Sequence, residues 1–148
     1  MHTKIPRHDD CFAIRQAARH ISQLYERHLS EVGITPTQFS IVSALDDTPD
    51  MTMAELAEAM VMERTTLVRA LQPLLRNSLV LAVQGGPCKR RLQLALTERG
   101  KTKLTDALTP WQAAQNEFEA KFGQRRAARL RRELFYLTSI ERNQQETI

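Results

Sequence analysis

The 148-residue chain has little cysteine, little glycine and few aromatic side chains: two Cys, five Gly and 5% Phe, Trp and Tyr. Two distant cysteines cannot build the disulfide framework of a small secreted domain, so we expect a reducing, cytoplasmic setting. The chain contains no apolar run approaching the roughly 20 residues of a membrane-spanning helix, and its N-terminus lacks a signal-peptide core. The length fits one domain, and the scarcity of glycine and proline favours helix.

Charge is distributed unevenly although the formal net charge is only +4. Residues 43–63 sum to −6 and residues 64–103 sum to +8. Clustered positive charge is typical of a protein that binds a polyanion. A second basic cluster lies at 121–132, and we interpret it as the solvated surface of a helix.

Apolar residues at steps of three and four predict four helices in the first half of the chain. The first helix covers about 9–32 and ends at Gly33. The second opens on the capping box that begins at Thr35, and the third on a similar pattern at Thr52. The fourth covers 65–77.

The period of the pattern then changes from helix to strand. Apolar runs at 79–83 and 92–96 flank the loop GGPCKRR, which predicts a β-hairpin with a basic tip. Thr97 is placed to cap a long fifth helix, and Gly123 separates it from a last one. The fold class is therefore mainly α with a small β-hairpin wing, a winged helix-turn-helix between N- and C-terminal helices.

This layout suits double-stranded DNA. The second helix of the motif enters the major groove, while the hairpin reaches neighbouring phosphates or the minor groove. Arginine can pair with guanine and threonine can contact a thymine methyl or a phosphate, while cations on the loop suit phosphates. The candidate DNA-binding residues are Arg64, Thr65, Thr66, Arg69, Gln72 and Arg76 on the helix and Lys89, Arg90 and Arg91 on the loop.

Three segments resemble the MarR family of bacterial transcriptional regulators: ITPTQFSIVSAL, MTMAELAEAMVMERTTLVRALQPLLRNSLV and LQLALTERG. The resemblance implies a single domain over 1–148, with dimerisation helices at 9–34 and 98–145 and a DNA-binding lobe at 35–97. It also implies a homodimer that binds a pseudo-palindromic operator. Such a protein would be a repressor that a small-molecule effector releases from DNA.

The wing departs from the family pattern. Counted back from the end of the second strand, Cys88 stands where the family has an aspartate, and Arg90 stands at the family's wing arginine. A neutral thiol cannot pair with an arginine as that aspartate does. A helical dimer that binds a protein partner and has lost DNA binding is therefore an alternative.

The segment around Cys11 resembles the family's branch that senses organic hydroperoxides. Tyr25 matches one of the tyrosines of that branch, whereas Arg15 and Pro36 occupy the positions of two others. Arg15 lies one turn from Cys11 and would favour its thiolate. Because Cys11 also lies on the apolar stripe of the first helix, the alternative is a buried, structural cysteine. A thiol-based repressor that responds to peroxide stays open beside the ligand-released one.

Tyr25 and Trp111 are further candidates, since the resemblance implies a cleft for a small aromatic effector between the dimerisation helices and the lobe. At helical spacing the same residues also fit a plain hydrophobic core. The sequence has no HExxH or CxxC pattern, no catalytic triad order and no phosphate-binding glycine loop. We therefore predict no metal, no cofactor and no enzymatic activity.

Overall fold

The computed structural model describes residues 9–85 and 91–145. Its elements are, in order, α1 (Asp10–Leu29), a 3-10 turn (Ser30–Val32), α2 (Pro36–Asp47), β1 (Met51–Thr52), α3 (Met53–Met60), α4 (Arg64–Arg76), β2 (Val80–Gln84), β3 (Leu92–Leu96), α5 (Glu98–Phe122) and α6 (Gln124–Gln145). The predicted fold class, mainly α with a small β wing, is confirmed.

Side-chain caps fix where the short helices begin. Thr35 Oγ1 accepts a hydrogen bond from the Gln38 amide at 3.1 Å, and Gln38 Oε1 accepts from the Thr35 amide at 3.1 Å. Two of the free amides at the start of α2 are thus satisfied reciprocally, as the capping box predicts. Thr52 Oγ1 accepts from the Glu55 amide at 3.2 Å, which starts α3. Two threonine caps therefore set the residues at which α2 and α3 begin.

The sheet has three antiparallel strands in the order β1-β3-β2. The hairpin is in register with Val80 opposite Leu96, and β1 pairs with the other edge of β3, with Met51 opposite Leu94. The sequence predicts both hairpin strands but not β1, because two residues are too few to show an alternating pattern. β1 ties the start of α3 to the wing.

The start of α5 closes tightly on the hairpin. Thr97 Oγ1 accepts from the Gly100 amide at 2.9 Å, which confirms the predicted cap, and the same hydroxyl donates to the Ser78 carbonyl at 2.7 Å. A Cβ added to Gly100 would overlap the Leu79 carbonyl oxygen and the Leu96 side chain. Glycine is required here because the helix backbone approaches the strand closely.

One hydrophobic core joins the helix-turn-helix, the sheet and α5. Phe39 of α2 stacks on Trp111 of α5 with ring centroids 6.0 Å apart, which fastens the two elements together. The innermost aliphatic side chains are almost completely buried: Leu29, Ile41, Val42, Leu45, Leu56, Leu67, Leu71, Leu74, Val80 and Leu94.

The long helices are joined to the rest by polar contacts as well. Lys103 Nζ of α5 donates to the Val32 carbonyl at 2.8 Å, and Arg27 of α1 lies 3.4 Å from the Glu117 carboxylate of α5. Gly123, at φ +100°, separates α5 from α6 as predicted. Beyond that turn, α6 exposes large apolar side chains: Leu130, Leu134, Phe135, Tyr136 and Leu137.

Candidate nucleic-acid interface

The helix-turn-helix consists of α3, a short turn and α4. α3 ends at Met60, the next residue Val61 adopts the left-handed conformation at φ +52°, and Glu63 precedes the first residue of α4. Leu56 of α3 and Leu67 of α4 are both fully buried in the shared core. The observed α4 begins one residue before the predicted helix and ends one residue earlier, so the predicted face of the helix is preserved.

The predicted DNA-binding residues of α4 all lie on its exposed side. The buried side carries Leu67, Leu71 and Leu74. The exposed residues are Arg64, Thr65, Thr66, Arg69, Gln72 and Arg76. Within the described ranges, none of these three arginines forms an ion pair. Their charges are therefore available to an external anion.

These residues divide into two groups around the helix. Arg64, Thr65, Arg69 and Gln72 line one shallow depression of about 420 Å³, together with Val68. We call this set of five the α4 reading face. Val68 is absent from the predicted DNA-binding residues. It lies beside the leucine stripe and belongs neither to that buried stripe nor to the polar side of α4. Its only signal is that it is one of two large aliphatic residues off that stripe in α4.

Thr66 faces a different neighbour. It lines a second depression, of about 330 Å³, with Arg69 and the first residues of α2, including Thr35, Thr37 and Gln38. Arg69 thus borders both depressions, which makes it the central cation of this surface. Arg76 lines neither of them and lies in the last turn of α4.

Part of the predicted wing contact lies outside the described residues. This applies to Lys89 and Arg90, and to Cys88 beside them. Arg91 is described: its side chain is exposed, and its carbonyl accepts from the Gly85 amide at 3.5 Å. The base of the wing is therefore paired up to Gly85 and Arg91.

The basic segment 64–103 does not act as one surface. Lys101 lies 3.3 Å from the Glu98 carboxylate, and the half-buried Lys103 donates to a backbone carbonyl of the 3-10 turn. The ammonium group of Lys103 therefore binds within the chain and does not belong to the cations that face outward. Among the described residues of this segment, the exposed cations without an ion pair are Arg64, Arg69 and Arg76 of α4, Arg91 before β3 and Arg99 of α5.

A cavity of about 700 Å³ lies between the long helices and the lobe. Tyr25 and Leu29 of α1, Phe39 of α2, Trp111 of α5 and Phe135 of α6 all line it. Burial raises the pKa of the Tyr25 hydroxyl above its ordinary value; the negative charge of Glu119 adds to the rise and Arg131 opposes it. Two of the predicted effector residues, Tyr25 and Trp111, are thus brought together.

The other two candidates, Cys11 and Arg15, lie elsewhere. Both are exposed near the start of α1, so the expectation of a buried Cys11 is wrong for the single chain. The reason is that the chain buries α1 only through Leu24 and Leu29, in its second half. Cys11 and Tyr25 are fourteen positions apart on α1, about 21 Å along the axis, so they cannot meet within one chain.

The described ranges contain no cluster of three His, Cys, Asp or Glu side chains that could hold a metal ion. In the same part of the chain, no helix combines the length and hydrophobicity that a membrane crossing requires.

Comparison with known proteins identifies the family. A model of the MarR family matches residues 32–91. The HTH-type transcriptional regulator SarZ of Staphylococcus epidermidis is 30% identical over 91 residues, a match that spans 62% of this chain and 62% of SarZ. The structure of the M. tuberculosis transcriptional regulator MosR is 33% identical, with a TM-score of 0.78, and the match covers 92% of this chain and 97% of MosR.

The chain belongs to the MarR family. MosR has also been solved in complex with DNA; that structure is 34% identical with a TM-score of 0.80. The repressor CouR, bound to a 23-mer DNA duplex, shares only the fold at 21% identity, with a TM-score of 0.80. These MarR-family relatives are transcriptional regulators, not enzymes, and the winged helix-turn-helix that the sequence predicts is confirmed.

Proposed function

We propose that this MarR-family protein is a homodimeric, sequence-specific DNA-binding transcriptional repressor that a small-molecule effector releases from its operator. The observation that carries the proposal is the α4 reading face, where Arg64 and Arg69 are exposed and without an ion-pair partner among the described residues. The relative MosR, similar over nearly its whole length, forms a complex with DNA. An enzyme would need a catalytic constellation rather than a charged helix surface.

On DNA, α4 enters the major groove with its first two turns toward the base edges. Arg64 and Arg69 are suited to guanine, and Thr65 and Gln72 to bases or phosphates nearby. The wing, with Lys89, Arg90 and Arg91, binds the adjacent backbone or minor groove. Two copies of α4 would address half-sites roughly 10 base pairs apart on a pseudo-palindrome.

The long helices would supply the dimer interface, so that 9–34 and 98–145 form the dimerisation region and 35–97 the DNA-binding lobe. α6 exposes Phe135 and Tyr136, which are 69% and 64% exposed. Apolar residues continue along α1 at Phe12 and Ile14. A second copy of the chain is the occupant that the family and the two-fold symmetry of DNA operators favour.

The cavity beside Tyr25 and Trp111 would hold the effector. Its volume lies within the range of small-molecule sites, and its aromatic walls suit a small aromatic ligand. The α2 helix lines the cavity and also packs against both α4 and α5. A ligand that moves α2 relative to the long helices would therefore change the spacing of the two α4 helices and weaken the match to DNA.

Selection of bound duplexes from a random DNA pool tests the proposal. We expect one enriched pseudo-palindrome, bound by two chains in a mobility-shift titration and released by an aromatic effector. Recovery of random sequence, or retention on heparin without any enriched site, would contradict sequence-specific binding. Such a result would instead favour the helical dimer that binds a protein partner, which Cys88 in the wing leaves open.

Cys11 is exposed in the single chain, beside the proposed dimer contacts Phe12 and Ile14, and a second candidate is a peroxide-sensing repressor that uses this thiol at the edge of the interface. The thiolate would attack the terminal peroxide oxygen, forming the S–O bond of a sulfenic acid while the O–O bond breaks; the second oxygen leaves as an alkoxide, which takes a proton from water and becomes the alcohol. Arg15, one helical turn away, is the nearby cation in α1.

Two single-cysteine variants separate this candidate from release by a ligand. If Cys11 is the sensor, Cys11→Ser stays on DNA when an organic peroxide is added, whereas Cys88→Ser is released. Release of Cys11→Ser by peroxide would remove the thiol mechanism and leave the effector cavity as the switch.

A further inference from the structure

Val68 is an apolar side chain within an otherwise polar surface. It is 39% exposed, and its neighbours on the α4 reading face are Arg64, Thr65, Arg69 and Gln72. The packing of α4 does not explain it, because Leu67, Leu71 and Leu74 anchor the helix on the other side and are almost completely buried. An exposed valine among these polar residues is available for contact with a partner outside the chain.

The chemistry of the major groove limits what that partner is. The base edges there present hydrogen-bond donors and acceptors, and the one apolar group among them is the C5-methyl of thymine. A valine against the amino group of cytosine or the carbonyl of guanine would desolvate a polar group without replacing its hydrogen bond. Valine therefore favours thymine and also disfavours the alternatives.

We propose that Val68 is a specificity-determining residue whose isopropyl group contacts the C5-methyl of one thymine in each half-site. The inference rests on the proposed function, since it requires α4 to lie in the major groove. Val68 lies one turn beyond Arg64 and one turn before Gln72, within the first two turns of the helix. These are the turns that reach base edges in a helix-turn-helix.

The helix also supplies a matched control. Leu75 is 38% exposed, nearly the same as Val68, and at seven residues' distance it points in nearly the same direction. It lies about 10 Å further along the axis, in the last turn, where we expect no base contact. Serine at position 68 removes the apolar group with little change in helix propensity, whereas Leu75→Ser also replaces a stronger helix former.

The test uses uracil, which differs from thymine only by the missing methyl group. Each thymine of the selected operator is replaced in turn by uracil, first in one half-site and then in both, and the dissociation constants are measured. For the unmodified chain we expect one thymine whose replacement weakens binding about fourfold in one half-site and about fifteenfold in both. For Val68→Ser this uracil penalty falls below about twofold, whereas Leu75→Ser keeps it in full.

The outcomes separate the two proposals. If no thymine is sensitive in the unmodified chain, or if Val68→Ser keeps the whole penalty, the role of Val68 is wrong while DNA binding stands. If the unmodified chain selects no operator, the proposed function itself fails. Val68→Ala serves as a second variant, and circular dichroism establishes that each variant is folded.

Discussion

The helix-turn-helix lobe and the C-terminal helix differ in the exposure of their apolar side chains. In α3 and α4 the leucine stripe is buried within the same chain, and the exposed side is mostly polar. In α6 the apolar side chains themselves are exposed, Phe135 and Tyr136 most of all. A helical period shows that one face will be covered, but it does not show which chain covers it. The lobe buries its stripe within the chain, in a core that includes α5, whereas α6 leaves its apolar side chains exposed in the single chain.

The largest effect should come from the exposed side of the lobe. Arg69→Ala should weaken operator binding by about 1–3 kcal/mol per half-site, or about 2–6 kcal/mol for the dimer, and relax base preference. The reason is that Arg69 borders both depressions on α4. The measurement is a mobility-shift titration on the selected operator and on point variants of it.

Arg90→Ala is the contrasting variant in the wing. It should weaken binding evenly across sequences and lower the salt slope by about 1 for each phosphate that the arginine no longer neutralises.

Since Arg69 is exposed, Arg69→Ala should leave the free energy of unfolding almost unchanged. Unchanged operator affinity and selectivity in Arg69→Ala would mean that α4 is not the reading helix.

The second prediction concerns α6. Phe135→Ser should weaken dimerisation by about 2–4 kcal/mol, because two-fold symmetry removes the same apolar side chain from the interface twice. Sedimentation equilibrium measures the association directly. Leu81→Ser is the control in the lobe, since Leu81 is exposed as well, at 51%, but belongs to the hairpin. If Leu81→Ser dissociated the dimer and Phe135→Ser did not, the assignment of the two regions would be reversed.

The third prediction tests the internal packing of the lobe. Gly100→Ala should lower the free energy of unfolding by about 1–3 kcal/mol, because the new methyl group meets the Leu79 backbone and the Leu96 side chain. Gly33→Ala is a useful comparison, since nothing lies within 4 Å of its added Cβ and only its φ of +70° opposes the change. Urea unfolding of both variants separates the cost of overlap from the cost of conformation.

If Gly100→Ala and Gly33→Ala lowered the free energy of unfolding by the same amount, that result would contradict the packing argument. In that case the close approach of α5 to the hairpin would be adjustable, and the Thr97 cap alone would set the start of α5. We expect Gly33→Ala to cost about 1 kcal/mol, the usual penalty for a left-handed alanine.

Local patterns predicted the architecture because local physics decides it. The caps at Thr35, Thr52 and Thr97 each need only a hydroxyl and an amide three residues ahead, so they are visible in the sequence. β1 is different. Its two residues form a strand only because β3, some forty positions later, offers a free edge.

The candidate site shows the same division. The polar residues of α4 could be assigned from the helical period, since they lie opposite a leucine stripe. Val68 could not, because an apolar residue beside that stripe has no sequence signature that separates core from surface. The interpretation of Cys11 as a buried residue is wrong for the single chain for a related reason: its stripe is apolar, but no element in the described part of the chain covers that end of α1.

The smallest predicted effect concerns the backbone of the lobe. Val61 ends α3 at φ +52° with its side chain 68% exposed, so a β-branched residue occupies a conformation that only glycine adopts freely. Val61→Gly should raise the free energy of unfolding by about 0.5–1 kcal/mol, since relief of the left-handed strain exceeds the entropy that glycine adds to the unfolded chain.

Val61→Ala keeps an L residue at the positive φ and should raise the free energy of unfolding by less. If alanine stabilised the protein as much as glycine, the strain would come from the branched side chain rather than from φ. Thermal unfolding of the three proteins decides between these causes, and dimerisation should be the same in all of them, because the turn lies in the lobe and not in the long helices.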